Sequence, residues 1–137
     1  METNVKIFIL VIVLLIAGTF GLSVLKNNGT NPNAPGKYDT FAMCLAEKKV
    51  TFYGAFWCPH CKAQKKLFGS SARLLPYVEC STPDAGAQTQ ICIDKGIKGY
   101  PTWILADGTI IPNDSTEGAG VKLETLAEKT GCVLPAE

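Results

Sequence analysis

The N-terminal part of the chain contains one long apolar stretch, the 19 uncharged residues from Ile7 to Leu25. As a helix this stretch would span about 28 Å, close to the ~30 Å hydrocarbon core of a bilayer. We therefore predict a membrane anchor over residues 1–26. The alternative is a cleaved secretory signal that starts at Lys6, but the apolar run is longer than a usual signal core and lacks an Ala-x-Ala site. With either interpretation, we expect the remainder to be exported.

Beyond the apolar stretch, residues 27–36 are rich in Asn, Gly, Thr and Pro, which is typical of a flexible linker. Residues 37–137 then alternate between helical and strand-like periodicity. The predicted elements are a helix 39–49, a strand 50–55, a helix 59–68, a strand 77–80, a helix 85–95, two strands 102–106 and 109–111 joined at Asp107-Gly108, and a helix 122–130. This order, α-β-α-β-α-β-β-α, predicts an α/β domain with a central mixed sheet flanked by helices.

Charge adds little to this picture. Residues 37–137 hold 11 basic and 11 acidic side chains, so the domain is balanced. A balanced domain gives no argument for binding nucleic acid, and we expect no such partner.

The candidate chemistry lies in Cys58-Pro59-His60-Cys61, between a predicted strand and a predicted helix. At that junction Cys58 would stand at a helix N-terminus, where free N–H groups and the helix dipole favour an anion. Cysteines in such motifs titrate at roughly 3.5 to 7.5 rather than about 8.5, so we expect Cys58 to be a thiolate at neutral pH. Pro59 suits the first helical turn, and His60 can add an N–H or a positive charge. We interpret Cys58 as the nucleophile and Cys61 as the resolving thiol.

A metal site is the alternative of another class. His60 is the single histidine of the chain, and a four-ligand site would have to recruit further cysteines from elsewhere. We expect no metal and no other cofactor, and keep a copper or zinc carrier that uses Cys58, His60 and Cys61 as the competing hypothesis.

The stretch from Phe52 to Cys61, Phe-Tyr-Gly-Ala-Phe-Trp-Cys-Pro-His-Cys, resembles the active site of the thioredoxin superfamily. Its Pro-His pair is similar to that of DsbA-type disulfide oxidases. Gly99-Tyr-Pro-Thr-Trp103 resembles the cis-proline loop of the same superfamily, which implies a thioredoxin fold with Pro101 cis beside the redox pair. Tyr100 and Pro101 are then expected to bind substrate, and Trp57 either offers substrates an apolar surface or packs against the domain.

From about Tyr38 to Cys132 the chain is similar to the thioredoxin-like domain associated with bacterial homologues of vitamin K epoxide reductase. Two further stretches are similar to that domain, Leu67-Phe-Gly69 and Tyr77-Val-Glu-Cys80. This resemblance implies a thiol-disulfide oxidoreductase that donates disulfides to cysteine-containing exported proteins. That oxidoreductase would be reoxidised by a separate membrane protein that is linked to quinones and resembles vitamin K epoxide reductase. The expected location is a single-pass membrane protein with its catalytic domain in the periplasm, cell exterior or lumen; the alternative is a tethered reductase or isomerase.

One position departs from the superfamily pattern. Thioredoxins and DsbA-type oxidases carry a buried acid six residues before the nucleophile, and this chain has Phe52 there. The proton relay assigned to that acid therefore cannot be transferred to this chain. The missing negative charge also favours a thiolate at Cys58, and with it the oxidising direction.

Six cysteines behind an export segment are typical of an oxidising compartment. Cys80 at a strand end and Cys92 in the next helix would close a loop of about a dozen residues, worth roughly 3 kcal/mol. We predict this pair, and with it a Cys44–Cys132 pair worth roughly 4 to 5 kcal/mol. Two alternatives remain, namely that Cys44 is only a small buried hydrophobe, and that Cys80 and Cys92 are a second redox pair.

Overall fold

The computed structural model describes residues 6–7, 9, 11–12, 34–115, 118 and 120–136. Its contacts divide the chain into two units, Met1–Asn33 and Ala34–Glu137. Within the described residues, no helix is both long and apolar enough to cross a bilayer. Most of the anchor predicted over residues 7–25 lies outside the described residues, so the anchor and the boundaries of the linker stay predictions.

The second unit contains helices and strands in the predicted order. They are α1 (Asp39–Glu47), β1 (Thr51–Gly54), α2 (Pro59–Leu67), a 3₁₀-helix (Gly69–Leu74), β2 (Tyr77–Glu79), α3 (Gln90–Asp94), β3 (Thr102–Ile104), β4 (Ile110–Ile111) and α4 (Leu123–Thr130). The last helix ends where the sequence places its end, because Gly131 takes a left-handed φ of 69° and caps it.

The four strands form one mixed sheet in the order β2-β1-β3-β4. β1 runs parallel to β2 and antiparallel to β3, and β3 is antiparallel to β4. The predicted α/β architecture with a central mixed sheet is therefore confirmed.

β1 separates two buried clusters, because successive side chains of a strand point to opposite faces. Phe52 stacks on Trp103 with ring centroids 4.7 Å apart, in the cluster that also holds the buried faces of α1, α2 and α4. Tyr53 belongs to the other cluster, with Cys80, Cys92 and Ile97. The active-site helix and the Cys80–Cys92 pair thus lie on opposite faces of the sheet.

Both predicted cysteine pairs are present as disulfides. Cys44 of α1 is bonded to Cys132, just past α4, across a sequence separation of 88 residues. Cys80 is bonded to Cys92 across 12 residues. Cys44 is therefore not an isolated buried hydrophobe.

The helix predicted over residues 85–95 is wrong in its first half, since α3 covers only Gln90–Asp94. Residues 82–88 form a closed turn instead: the Thr82 amide donates to the Ala87 carbonyl, and the Asp84 carboxylate accepts from the Thr82 hydroxyl and the Gly86 amide. Asp and Thr side chains compete in this way with a helix for the same backbone groups.

The 3₁₀-helix Gly69–Leu74 was not predicted. Arg73 holds it against α1 by donating to both carboxylate oxygens of Asp39, at 3.0 and 2.8 Å. This guanidinium also holds the pKa of Asp39 below its usual range. The contact joins residues 34 positions apart, so local periodicity carries no sign of it.

Candidate active site

Cys58 lies at the junction of β1 and α2, as the sequence predicts. It is the N-cap residue of α2 with extended backbone, and Pro59 occupies the first helical turn. The thiol thus stands where free N–H groups and the helix dipole favour an anion. Its side chain is 4% exposed, and Sγ lies 3.7 Å from the carbonyl oxygen of Tyr100.

Cys61 follows one helical turn later and faces the sheet. It is 1% exposed, and burial raises the pKa of its thiol to about 12. A Cβ at Gly54 would come within 2.9 Å of the Cys61 sulfur, so this strand position requires glycine. Cys58 and Cys61 are the two free thiols among six cysteines, all of which lie in the described part of the chain.

The Tyr100–Pro101 peptide bond is cis, as the resemblance implies. The Tyr100 carbonyl that contacts Cys58 immediately precedes it, and Asn113 Nδ2 donates to the Pro101 carbonyl at 3.3 Å. A cleft of about 170 Å³ opens beside this loop. Its lining consists of His60, Tyr100, Pro101, Asn113, Ser115, Gly118 and Gly120.

His60 is exposed and forms a hydrogen bond with Gly118, another residue of the cleft lining. Its Nδ1 lies 2.5 Å from the Gly118 carbonyl oxygen. A carbonyl accepts only, so Nδ1 carries the proton and donates it. His60, which lies between the two cysteines in the sequence, is therefore also tied to Gly118.

Trp57 packs against the domain and also keeps an exposed face. Its side chain is 47% exposed, which leaves an apolar surface beside Cys58. Its indole Nε1 donates to Ser81 Oγ at 2.8 Å, and its ring meets Tyr100 edge to face at 6.0 Å. The tryptophan is thus anchored and about half exposed, and its role in substrate binding stays a prediction.

Gln64 is a site residue that the sequence analysis missed. It is fully buried on α2; its Nε2 donates to the Val121 carbonyl at 2.9 Å and its Oε1 accepts from the Val121 amide at 2.7 Å. A Cβ at Gly120 would come within 2.5 Å of both Gln64 Oε1 and Pro101 Cγ. Gln64 therefore fixes the 120–121 segment against the cis-proline loop. Its position three residues after Cys61, on the inward face of the helix, was the available signal.

Glu79 and Tyr77 were also missed as site residues. The Tyr77 hydroxyl donates to Glu79 Oε2 at 2.7 Å, and Glu79 Oε1 accepts from the amides of Ser81 and Phe56 at 2.9 and 3.2 Å. The carboxylate thus joins the end of β2 to the loop that carries Trp57 and Cys58. Burial, with the bond to Glu79, raises the pKa of Tyr77 well above its usual range.

Within the described residues, no three His, Cys, Asp or Glu side chains lie close enough together to hold a metal ion.

Two comparisons with known proteins bear on this site. The thioredoxin family pattern matches residues 36–130, which include both free thiols and the cis-proline loop. Over 86 residues the chain is 43% identical to the thiol-disulfide oxidoreductase LTO1 of Arabidopsis thaliana, a match that covers 60% of this chain and 21% of that relative. The chain thus spans about a fifth of that relative's length. Both matches support a thiol-disulfide oxidoreductase, and with a free Cys-Pro-His-Cys pair beside a cis-proline, the chain belongs to the thioredoxin family.

Proposed function

We propose that this chain is a membrane-anchored thiol-disulfide oxidoreductase that donates disulfides to cysteine-containing exported proteins. The observation that carries the proposal is the free pair Cys58 and Cys61, with Cys58 at a helix N-terminus and in contact with the cis-proline loop. The other four cysteines are disulfide-bonded, which supports an oxidising compartment. LTO1 is named as a thiol-disulfide oxidoreductase, which is the class of chemistry proposed for this chain.

The proposed cycle begins with Cys58 and Cys61 joined as a disulfide. A substrate thiolate attacks the Cys58 sulfur, the bond to Cys61 breaks, and Cys61 leaves with the electron pair and takes up a proton. A second substrate thiolate attacks the substrate sulfur of this mixed disulfide, and Cys58 leaves as the thiolate. The substrate gains one disulfide, and two electrons pass to the Cys58–Cys61 pair.

The oxidising direction follows from what stabilises the reduced enzyme. Cys58 is the N-cap residue of α2, and any negative charge that the helix N-terminus stabilises there belongs to the reduced form alone. Phe52, fully buried, contributes no negative charge that would oppose it. Reoxidation would come from a quinone-linked, vitamin K epoxide reductase-like membrane protein, with residues 7–25 holding the chain in the same membrane. The catalytic domain would face the periplasm, cell exterior or lumen.

The reduction potential of the full chain in detergent tests the direction. Equilibration in glutathione buffers, followed by alkylation and mass spectrometry, gives the fraction of chain with the Cys58–Cys61 disulfide. We expect a potential between about −180 and −120 mV, the range of protein disulfide isomerase and DsbA. A value near or below about −230 mV contradicts the oxidase proposal and supports a tethered reductase or isomerase.

Transfer to a reduced test protein gives a second readout. The oxidised chain should form disulfides in the test protein stoichiometrically, and a Cys58→Ser variant should form none. Turnover beyond one equivalent should appear only when the membrane oxidase and a quinone are supplied. Multiple turnovers without them would contradict the need for that partner.

A further inference from the structure

The buried thiol of Cys61 has a hydrogen-bonded phenol and carboxylate beside it. A Cβ at Gly54 would lie 2.9 Å from Cys61 Sγ and equally 2.9 Å from Tyr77 Cε2, so the sulfur and this ring carbon are at most 5.8 Å apart (2.9 Å plus 2.9 Å). Cε2 is bonded to the ring carbon that carries the hydroxyl. That hydroxyl donates to Glu79 Oε2 at 2.7 Å, so the phenol near the thiol is hydrogen-bonded to a carboxylate.

Thiol-disulfide exchange requires Cys61 to lose and regain a proton. The side chain is 1% exposed, and its pKa of about 12 means that it carries its proton at neutral pH. Bulk water has little access to that proton. An acceptor within the protein would therefore speed each step in which Cys61 attacks.

Position 52, six residues before Cys58, cannot supply the acceptor. Phe52 is fully buried there, stacked on Trp103 at 4.7 Å and edge to face with Tyr77 at 5.1 Å. Tyr77 stands directly opposite Phe52 in the parallel register of β1 and β2. The neighbouring strand thus provides the polar group that position 52 lacks.

We propose that Tyr77 and Glu79 together accept the proton of Cys61 when it resolves a mixed disulfide. The inference rests on the thiol-disulfide exchange proposed above and holds for either direction of electron flow. In this scheme Tyr77 receives the Cys61 proton, and Glu79 receives the phenol proton that Tyr77 releases.

The step balances as follows. Cys61 Sγ attacks Cys58 Sγ, a Cys58–Cys61 bond forms, and the bond from Cys58 to the substrate sulfur breaks. The substrate leaves as a thiolate with the electron pair. The Cys61 proton passes to Tyr77 Oη, directly or through one water, while the phenol proton passes to Glu79 Oε2. In the reverse step the same two groups return the proton to Cys61.

The surroundings keep the pair in place. The amides of Phe56 and Ser81 hold one Glu79 oxygen, which leaves the other aimed at Tyr77. Lys65 Nζ lies 3.4 Å from the Tyr77 ring centroid and offsets negative charge there. The titratable groups that act on Cys61 are Cys58 and Lys65 from α2 and Tyr77 from β2, and Glu79 is hydrogen-bonded to Tyr77. β1 contributes Phe52 and Gly54, which do not titrate.

Reaction of the reduced full chain in detergent with dithiobis(nitrobenzoate) separates the two thiols. Cys58 attacks the reagent and releases one thionitrobenzoate, and Cys61 then attacks the resulting mixed disulfide and releases the second. Stopped-flow absorbance records the two releases as two phases. The first phase reports the exchange at Cys58, and the second reports the proton transfer from Cys61.

The informative variants are Tyr77→Phe and Glu79→Gln. The amide oxygen of Glu79→Gln can still accept from Phe56 and Ser81, so the loop keeps its backbone contacts. In the wild type we expect the rate of the second phase to change little between about pH 6 and 8. In both variants the rate of the second phase should fall about a hundredfold near neutral pH. It should then rise about tenfold for each unit by which the pH is increased. The first phase should not change.

Glu128→Gln, an exposed carboxylate on α4, is the matched control and should leave both phases as in the wild type. A second phase with the same rate and pH slope in the Glu79 variant as in the wild type would overturn the inference. Equal slowing of both phases at every pH would also overturn it, since that is the effect of a merely structural role. A wild type without the first phase contradicts the exchange itself and the inference with it.

Discussion

At the residue scale, the site depends on buried polar groups that are fully paired. Gln64 is the clearest case, because its amide makes two hydrogen bonds to the backbone of one residue, Val121, 57 positions away. Buried polar groups in proteins nearly always have partners, and losing one partner leaves the other unpaired. This one side chain therefore holds a distant segment at the edge of the cleft.

Replacing Gln64 by Leu keeps the size of the side chain and removes both bonds. The amide and carbonyl of Val121 then lose their partners, and each unpaired buried group costs about 1 to 3 kcal/mol. We expect the free energy of unfolding to fall by about 2 to 5 kcal/mol in denaturant titrations. Gln90→Leu, at an exposed position of α3, should change it by less than about 0.5 kcal/mol. Equal effects of the two substitutions would contradict the role given to Gln64.

At the scale of the elements, a single glycine of β1, Gly54, allows α2 to pack closely on that strand. An added methyl group at Gly54 would meet the Cys61 sulfur and the Tyr77 ring, both at 2.9 Å. The strand and the active-site helix can pack this closely only because position 54 has no side chain. The distance between the resolving thiol and β2 is set at this position.

Gly54→Ala should therefore move α2 away from the sheet. Overpacking of this kind costs about 1 to 3 kcal/mol, and the shift should also slow the second, Cys61-dependent phase of thiol exchange. Denaturant unfolding and the two-phase reaction measure the two effects. Gly99→Ala is the matched control, because a Cβ there has nothing within 4 Å. A stable Gly54 variant with wild-type kinetics would contradict this account of the packing.

The elements also show which features a sequence can reveal. The redox pair and the helix end at Gly131 are local signals that the sequence predicts correctly. The hairpin around Asp107-Gly108 is present as well, but its strands end at Ile104 and resume at Ile110, so its connection is longer than the predicted two residues. Residues 85–88 of the turn fall in the predicted helix, because local periodicity does not show that the Asp84 and Thr82 side chains accept from the backbone amides of Gly86 and Ala87. Gln64 and Glu79 bind partners 57 and 23 positions away, and only the folded chain brings these together.

At the scale of the whole second unit, two disulfides close loops of very different length. The chain-entropy model makes the stabilisation grow with the loop, so the Cys44–Cys132 bond should contribute more than the Cys80–Cys92 bond. The double Cys→Ala variant of the first pair should lose about 4 to 5 kcal/mol and that of the second about 3 kcal/mol. Denaturant unfolding of the oxidised proteins measures both losses, and the opposite ranking would contradict the loop-length argument.

The Cys44–Cys132 bond also determines how the second unit would respond to mechanical force. Any tension between its two ends would travel through this covalent link, because the link joins residues 88 positions apart. Only the short tails before Cys44 and after Cys132 can lengthen under such a load. Both reactive sulfurs and the cis-proline loop lie between residues 44 and 132, so a load applied at the two ends of the unit would bypass the active site and leave it folded.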